Sequence, residues 1–250
     1  MIHVSRPRKA PQAFLDAARE EMKQVVPLFR RAGGGKPKFA FRAYRTPELV
    51  RILEQLFFKK CAYCEGNYAA TGYVEVEHYR PKSLYYWLAA DWCNLLPSCK
   101  RCNNGKLSKF PLLDPRKQAR RRGDEKRETP LLLDPCDPAR TRRPERHLTF
   151  SLEDGTIQAV EMRGQPSAIG MASIEVYRLA RPDLSQLRRD WAIRVKAQLR
   201  FCKLARRAGT AAEREAAYRG LKDLLEPTQP FRALTLAILR QSGVRTAGSG

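Results

Sequence analysis

Two cysteine clips, Cys61-x-x-Cys64 and Cys99-x-x-Cys102, constrain this chain more than any other feature. Two residues between the members of a pair let both sulfurs turn toward one tetrahedral ion, and two pairs complete a four-thiolate zinc site. Such a site has no open coordination position. The spacing therefore predicts a structural Zn²⁺ that contributes to folding rather than to chemistry. The stretch between the clips is longer than in a common zinc ribbon, so something beyond a plain knuckle must be enclosed there. Seven cysteines, an odd number, argue against a disulfide framework. Cys93, Cys136 and Cys202 lack clip spacing, and Cys202 reads as a small core residue.

Charge narrows the partners. Lys and Arg number 48 against 26 Asp and Glu, a formal balance of +22. That excess favours a polyanion, because each neutralised phosphate releases counterions. With 43% hydrophobic residues the chain has material for a packed core. The first twenty residues lack the apolar run of a signal peptide and no segment is apolar enough to span a bilayer, so the expectation is a cytoplasmic protein with no membrane partner.

Periodicity places helices at both ends. Phe14, Ala17, Ala18, Met22, Val25, Val26 and Phe29 recur at helical spacing and are closed by the glycines of RAGGGKPK. A second helix is predicted from Thr46 as N-cap and Pro47 at the first helical position. Residues 116–128, RKQARRRGDEKRE, read as an exposed basic loop held at its ends by PLLDP and PLLLDP. HLTFSLEDGTIQAV reads as a hairpin turning at Asp154-Gly155. From Asp183 a helix follows with Leu184, Leu187, Trp191, Val195, Leu199 and Cys202 as its apolar stripe and Arg188 among its basic face. Two more helices precede a frayed RTAGSG. The expected division is an N-terminal helical segment (1–58), a metal-organised core with the basic loop (59–135) and a hairpin with basic helices (136–250).

Glu77-His78 in EHYRPKS, Asn94 in WCNLLPSC and Asn103 in CNNGK lie between and beside the clips. Here the chain resembles the HNH, or ββα-metal, endonucleases. The resemblance implies an α+β fold, a small zinc-stabilised ββα-metal core flanked by N-terminal and C-terminal helices. It also implies hydrolysis of phosphodiester bonds. His78 suits the general base, since an imidazole accepts a proton near neutral pH. Glu77 and the Asn103 amide would hold a catalytic Mg²⁺ or Mn²⁺, a hard ion that takes oxygen ligands. Asn94 would brace the intervening loop by bonding its backbone, and Lys106 would contact phosphate or pack on the helix rather than react. Arg120, Arg121 and Arg122 in the basic loop, with the basic face of the long helix, would track DNA.

The likeness extends through PLLLDPCDP, RHLTF and IEVYRLARPDLSQLRR, which resemble the HNH subunits (PtuB) of Septu and retron-associated antiphage systems. That family implies an ATPase partner subunit (PtuA-like), through which the oligomeric state would be set. One departure is that Ala180 precedes Arg181 where the family has asparagine. The rival reading is a catalytically silent, zinc-stabilised nucleic-acid-binding or scaffold protein. Glu77, His78 and Asn103 separate the two, because binding alone does not require them.

Overall fold

A computed structural model describes residues 1–7, 9–33, 35, 37–68, 74–151 and 153–244; the RTAGSG end lies outside them. Helix α1 (Gln12–Arg31) buries Phe14, Ala18 and Val25, the apolar stripe its spacing predicts. Glu21 lies on the same buried face. Its carboxylate accepts the backbone N–H of Arg42 and of Ala43, the latter at 3.0 Å, and so ties the following segment to the helix.

Helix α2 (Pro47–Leu56) begins with proline at its first position, and Thr46 before it is extended. The Thr46 hydroxyl makes no capping bond, contrary to the sequence expectation, and is buried without a partner. Pro47 has no N–H and its fixed φ starts the helix without a side-chain cap.

The centre is a ββα unit. Strand β1 (Glu75–His78) pairs antiparallel with β2 (Leu95–Ser98), Glu77 opposite Leu96 and His78 opposite Leu95. Helix α3 (Lys100–Lys106) follows β2 directly and packs across β1. Gly105 lets the helix pack closely there: a Cβ would stand 3.0 Å from the Val176 carbonyl oxygen and from the Arg178 side chain, a tight approach.

The basic segment is closed at its base, where Leu112 and Pro130 form an isolated antiparallel bridge. Glu128 reaches inward from it and accepts from Arg80 Nε (2.9 Å), Tyr85 Oη (2.7 Å) and the Ala119 N–H (2.8 Å).

The expected hairpin forms from β3 (Leu148–Phe150) and β4 (Ile157–Ala159), and Gly155 takes the positive φ of +73° that its turn needs. Helix α4 (Ala168–Val176), which the sequence reading did not anticipate, is capped by Ser167, whose Oγ accepts from the Gly170 N–H at 3.1 Å. Helices α5 (Pro182–Ala208), α6 (Ala211–Asp223) and α7 (Arg232–Gln241) complete the chain.

The stripe of α5 is phased differently from expectation. Leu187 is 55% exposed, whereas Arg188 is buried at 1% between Leu184 and Trp191. The spacing 184, 188, 191, 195, 199 is the continuous face, and Arg188 fills its gap. Its guanidinium donates to the Leu179 carbonyl at 2.5 Å and lies over the rings of Phe150 and Phe231. Arg188 is thus withdrawn from any phosphate-tracking surface.

One apolar cluster runs from the cysteine clips through β3 and α5 to α7; a second lies beneath α1 and α2 against β2. The architecture is α+β, a small ββα centre between helical flanks. Among the described residues no helix is long and apolar enough to cross a membrane.

Candidate functional site

The clips converge. The sulfurs of Cys61, Cys64, Cys99 and Cys102 all lie within 4.8 Å of one another, with Cys64 and Cys99 at 3.9 Å. Zn–S bonds of about 2.3 Å in a tetrahedron place sulfurs roughly 3.8 Å apart, so the set fits zinc. The local fold explains the convergence: Cys61 and Cys64 sit in a turn whose Ala62 N–H donates to the β2 carbonyl of Pro97, and Cys99 and Cys102 bracket the start of α3. The Gly66 N–H points at Cys64 Sγ (3.4 Å) and Arg181 Nη1 at Cys102 Sγ (3.5 Å). Four thiolates and Zn²⁺ carry a net negative charge, which Arg181 offsets. The departure at Ala180 leaves that contact in place.

Beside this knuckle opens a cleft of about 790 Å³, lined by Glu75, Glu77, His78 and Asn103 together with Arg45, Lys82 and an aromatic wall. Three of the four residues expected to do chemistry therefore share one cavity. His78 is buried at 3% exposure, its Nε2 lies 2.9 Å from the Ala89 carbonyl oxygen, and the Tyr44 ring meets it edge-on at 4.6 Å. A carbonyl only accepts, so Nε2 carries the proton and Nδ1 keeps its lone pair. Burial, reinforced by the Lys82 charge, holds the imidazole down to about 3.

Asn103 donates from Nδ2 to Glu75 Oε2 at 2.6 Å, which orients its amide. Glu75 stands two residues before Glu77 on β1 and lines the same cleft. Glu75, Glu77 and the Asn103 carboxamide bring oxygen donors to the same cleft, the donor type that hard divalent cations take.

Asn94 lies outside the cleft wall, behind it. Its Oδ1 accepts the Arg80 N–H at 2.7 Å and its Nδ2 donates to the carbonyls of Arg80 and Leu88, both at 3.0 Å. One buried side chain thus pins two points of the loop that leaves His78, close to the Ala89 carbonyl that the imidazole meets.

Lys106 departs from the sequence expectation. It is fully buried, and its Nζ donates to Glu77 Oε1 at 2.6 Å and to the His78 carbonyl at 2.7 Å. A phosphate cannot reach it. Burial raises the Glu77 carboxyl and lowers the Lys106 ammonium, while their mutual contact opposes both shifts. Two acceptors at the ammonium keep the proton on lysine. Helical spacing puts Asn103 and Lys106, three apart, on one side of α3, but only the packing of α3 on β1 makes that side an interior one. Lys82 and Arg45, the cations that do border the cleft, were not singled out.

Arg120, Arg121 and Arg122 are exposed on the closed basic segment. Arg121 pairs with Asp124 at 3.2 Å and Arg122 with Asp91 at 3.8 Å, contacts too exposed to hold the side chains back from another anion.

A ββα unit with an acid–histidine pair on its first strand, a loop-bracing asparagine and an asparagine on its helix is the arrangement on which the likeness to the HNH endonucleases rests. Residues 61–109 match the family model described as HNH endonuclease. The chain is 38% identical over 165 residues to the Septu protein PtuB of Bacillus mycoides (strain KBAB4), covering 60% of this chain and 53% of that protein. It is 33% identical over 120 residues to the Septu protein PtuB of Bacillus thuringiensis, covering 46% and 42%. The chain thus spans about half the length of the curated relatives it matches.

Proposed function

We propose that the chain is a metal-dependent endonuclease that hydrolyses phosphodiester bonds in DNA, the effector of an antiphage defence system acting with an ATPase partner. The observation that carries the reading is one cleft holding Glu77, His78 and Asn103, with His78 fixed in the tautomer a base needs. The system and the partner rest on likeness to the Septu relatives.

Each residue has a task. His78 Nδ1 takes the proton of the attacking water while Nε2 stays anchored on Ala89. Asn94 holds the loop so that this anchor does not drift. Glu77 and Asn103, the latter oriented by Glu75, would hold a Mg²⁺- or Mn²⁺-class ion, which when bound polarises the phosphate and neutralises the leaving oxygen. Lys82 and Arg45 neutralise neighbouring phosphates at the cleft. The four cysteines would keep zinc and fix α3.

The test is purified chain with plasmid DNA and Mg²⁺ or Mn²⁺, alone and with the ATPase partner. His78→Ala should reduce cleavage by about 10²-fold or more, the scale of a lost general base, with zinc content and DNA binding retained. Cleavage by His78→Ala equal to that of the parent chain would leave the scaffold reading in its place.

A further inference from the structure

Part of the lining of the cleft that holds the acid–histidine pair is aromatic. Phe29, Phe39 and Phe41 line it, with Phe39 edge-on to Phe41 at 5.1 Å and Phe41 tilted against Phe29 at 6.2 Å. Phe29 is also stacked on Tyr86 at 4.4 Å, which holds the cluster on α1. Phe41 is buried, whereas Phe29 and Phe39 are half-exposed and turn ring surface to the cavity.

The reacting groups are recessed, Glu77 at 6% exposure and His78 at 3%. Arg45 and Lys82 line the same cleft, Lys82 with its ammonium 5.1 Å from the Tyr44 ring. One cavity therefore offers a hydrophobic ring surface, cations and the acid–histidine–asparagine constellation together.

A paired duplex matches this badly. Each of its bases is already covered on both faces by neighbours, leaving nothing for an aromatic wall to stack on, and its phosphates lie on the outside of a rigid rod. An unpaired strand has free base faces and can follow its phosphates into a recess.

We propose that the cleft takes a single unpaired nucleic-acid strand, seating a base on the Phe39–Phe29 wall while the adjoining phosphate reaches the Glu77–His78–Asn103 end past Lys82 and Arg45. This rests on the nuclease reading of the same site and adds the form of substrate to it. Stacking on the wall is tolerant of base identity, since every base has a π face, so the preference is for strandedness and not for sequence.

The experiment is fluorescence anisotropy with Ca²⁺ in place of Mg²⁺, comparing a labelled single strand with the same strand annealed to its complement. It is made at moderate salt so that the general basic surface contributes less. The parent chain should bind the single strand more tightly. Phe39→Leu, which keeps apolar bulk and loses the ring, should weaken single-strand binding about ten-fold and leave duplex binding unchanged, as expected for a stacking contribution of a kcal/mol or more. Phe39→Trp should retain the preference and show indole emission quenched by the single strand and not by the duplex. Circular dichroism and zinc content control for folding.

Equal or tighter binding of the duplex by the parent chain, or Phe39→Leu indistinguishable from it on the single strand, overturns the proposal. These readouts need no cleavage. A chain that shows the stacking signature yet cuts nothing counts against the nuclease reading alone, and a chain that cuts duplex DNA without the signature counts against this inference alone.

Discussion

At the scale of single residues, the buried lysine is the most consequential departure. Removing the Lys106 ammonium takes away the cation that Glu77 bonds directly and leaves its buried carboxylate only the more distant charge of Lys82. Breaking such a pair costs about 3–5 kcal/mol when the remaining charge stays uncompensated. Lys106→Met should therefore lower urea stability by about 3 kcal/mol in metal-free protein, and adding Glu77→Gln should recover much of it. His78 carries a pH prediction. Its folded-state value of about 3 lies below the ordinary 6.5, so below pH 6.5 the unfolded chain binds a proton that the folded chain does not. The stability that the neutral imidazole contributes is fully present above pH 6.5 and is lost progressively as pH falls toward 3. Histidine NMR should show one ring that does not titrate between pH 8 and 5, and that resonance should be missing in His78→Ala. That Glu77, His78 and Asn103 share one cleft, with Asn94 bracing the loop behind it, agrees with what the HNH resemblance implies, because that pattern is local in the chain. The partner of Lys106 is not legible in the sequence, since a lysine following two asparagines and a glycine reads as surface until strand and helix are brought together. Arg188 misleads for a related reason: its charge assigns it to solvent, whereas the phase of α5 lays its guanidinium over the rings of Phe150 and Phe231.

Secondary-structure elements were read more securely than their junctions. Helices α1, α2, α5, α6 and α7 and the β3–β4 hairpin follow from periodicity and turn residues, and each lies where the pattern put it. Helix α4 escaped because it is short and apolar on most sides, with Gly170 inside it, so no amphipathic stripe marks it. The β1–β2 pair is only four residues long on each strand, too little to hold its shape alone. Its stability comes from the knuckle docked against Pro97 and from the loop that Asn94 gathers. Asn94→Ala would leave the Arg80 N–H and the Arg80 and Leu88 carbonyls to find new partners, at roughly 1–3 kcal/mol for each group left buried and unpaired. Hydrogen exchange should quicken at Arg80, and cleavage should fall without loss of the bound divalent ion. Zinc acts on the same element. One zinc per chain should survive dialysis, by elemental analysis, and Cys61→Ser should lose it and aggregate.

Across the whole molecule, charge and fold divide the work. The excess of +22 is not spread evenly in function: Arg188 and Lys106 are interior, Arg181 attends the cysteines, and Arg45 and Lys82 border the cleft. The exposed triplet Arg120–Arg122 stands on a segment clamped at both ends, so it can be altered without disturbing the core. Replacing all three by serine should weaken DNA binding regardless of sequence and lower the salt slope by up to about 3, with melting temperature unchanged. An unaltered slope would place the footprint elsewhere. Composition alone favours a polyanion partner, but it does not say which cations are free to meet one, since that depends on burial.

Cys102 and Asn103 are neighbours on α3, one in the knuckle and the next in the cleft. Any oxidant that converts the Cys102 thiolate to a sulfenate weakens its hold on zinc and lets the first turn of α3 move, and the carboxamide one residue further on moves with it. Peroxide should thus silence the protein in step with zinc release, and prompt reduction with zinc resupply should bring both back together.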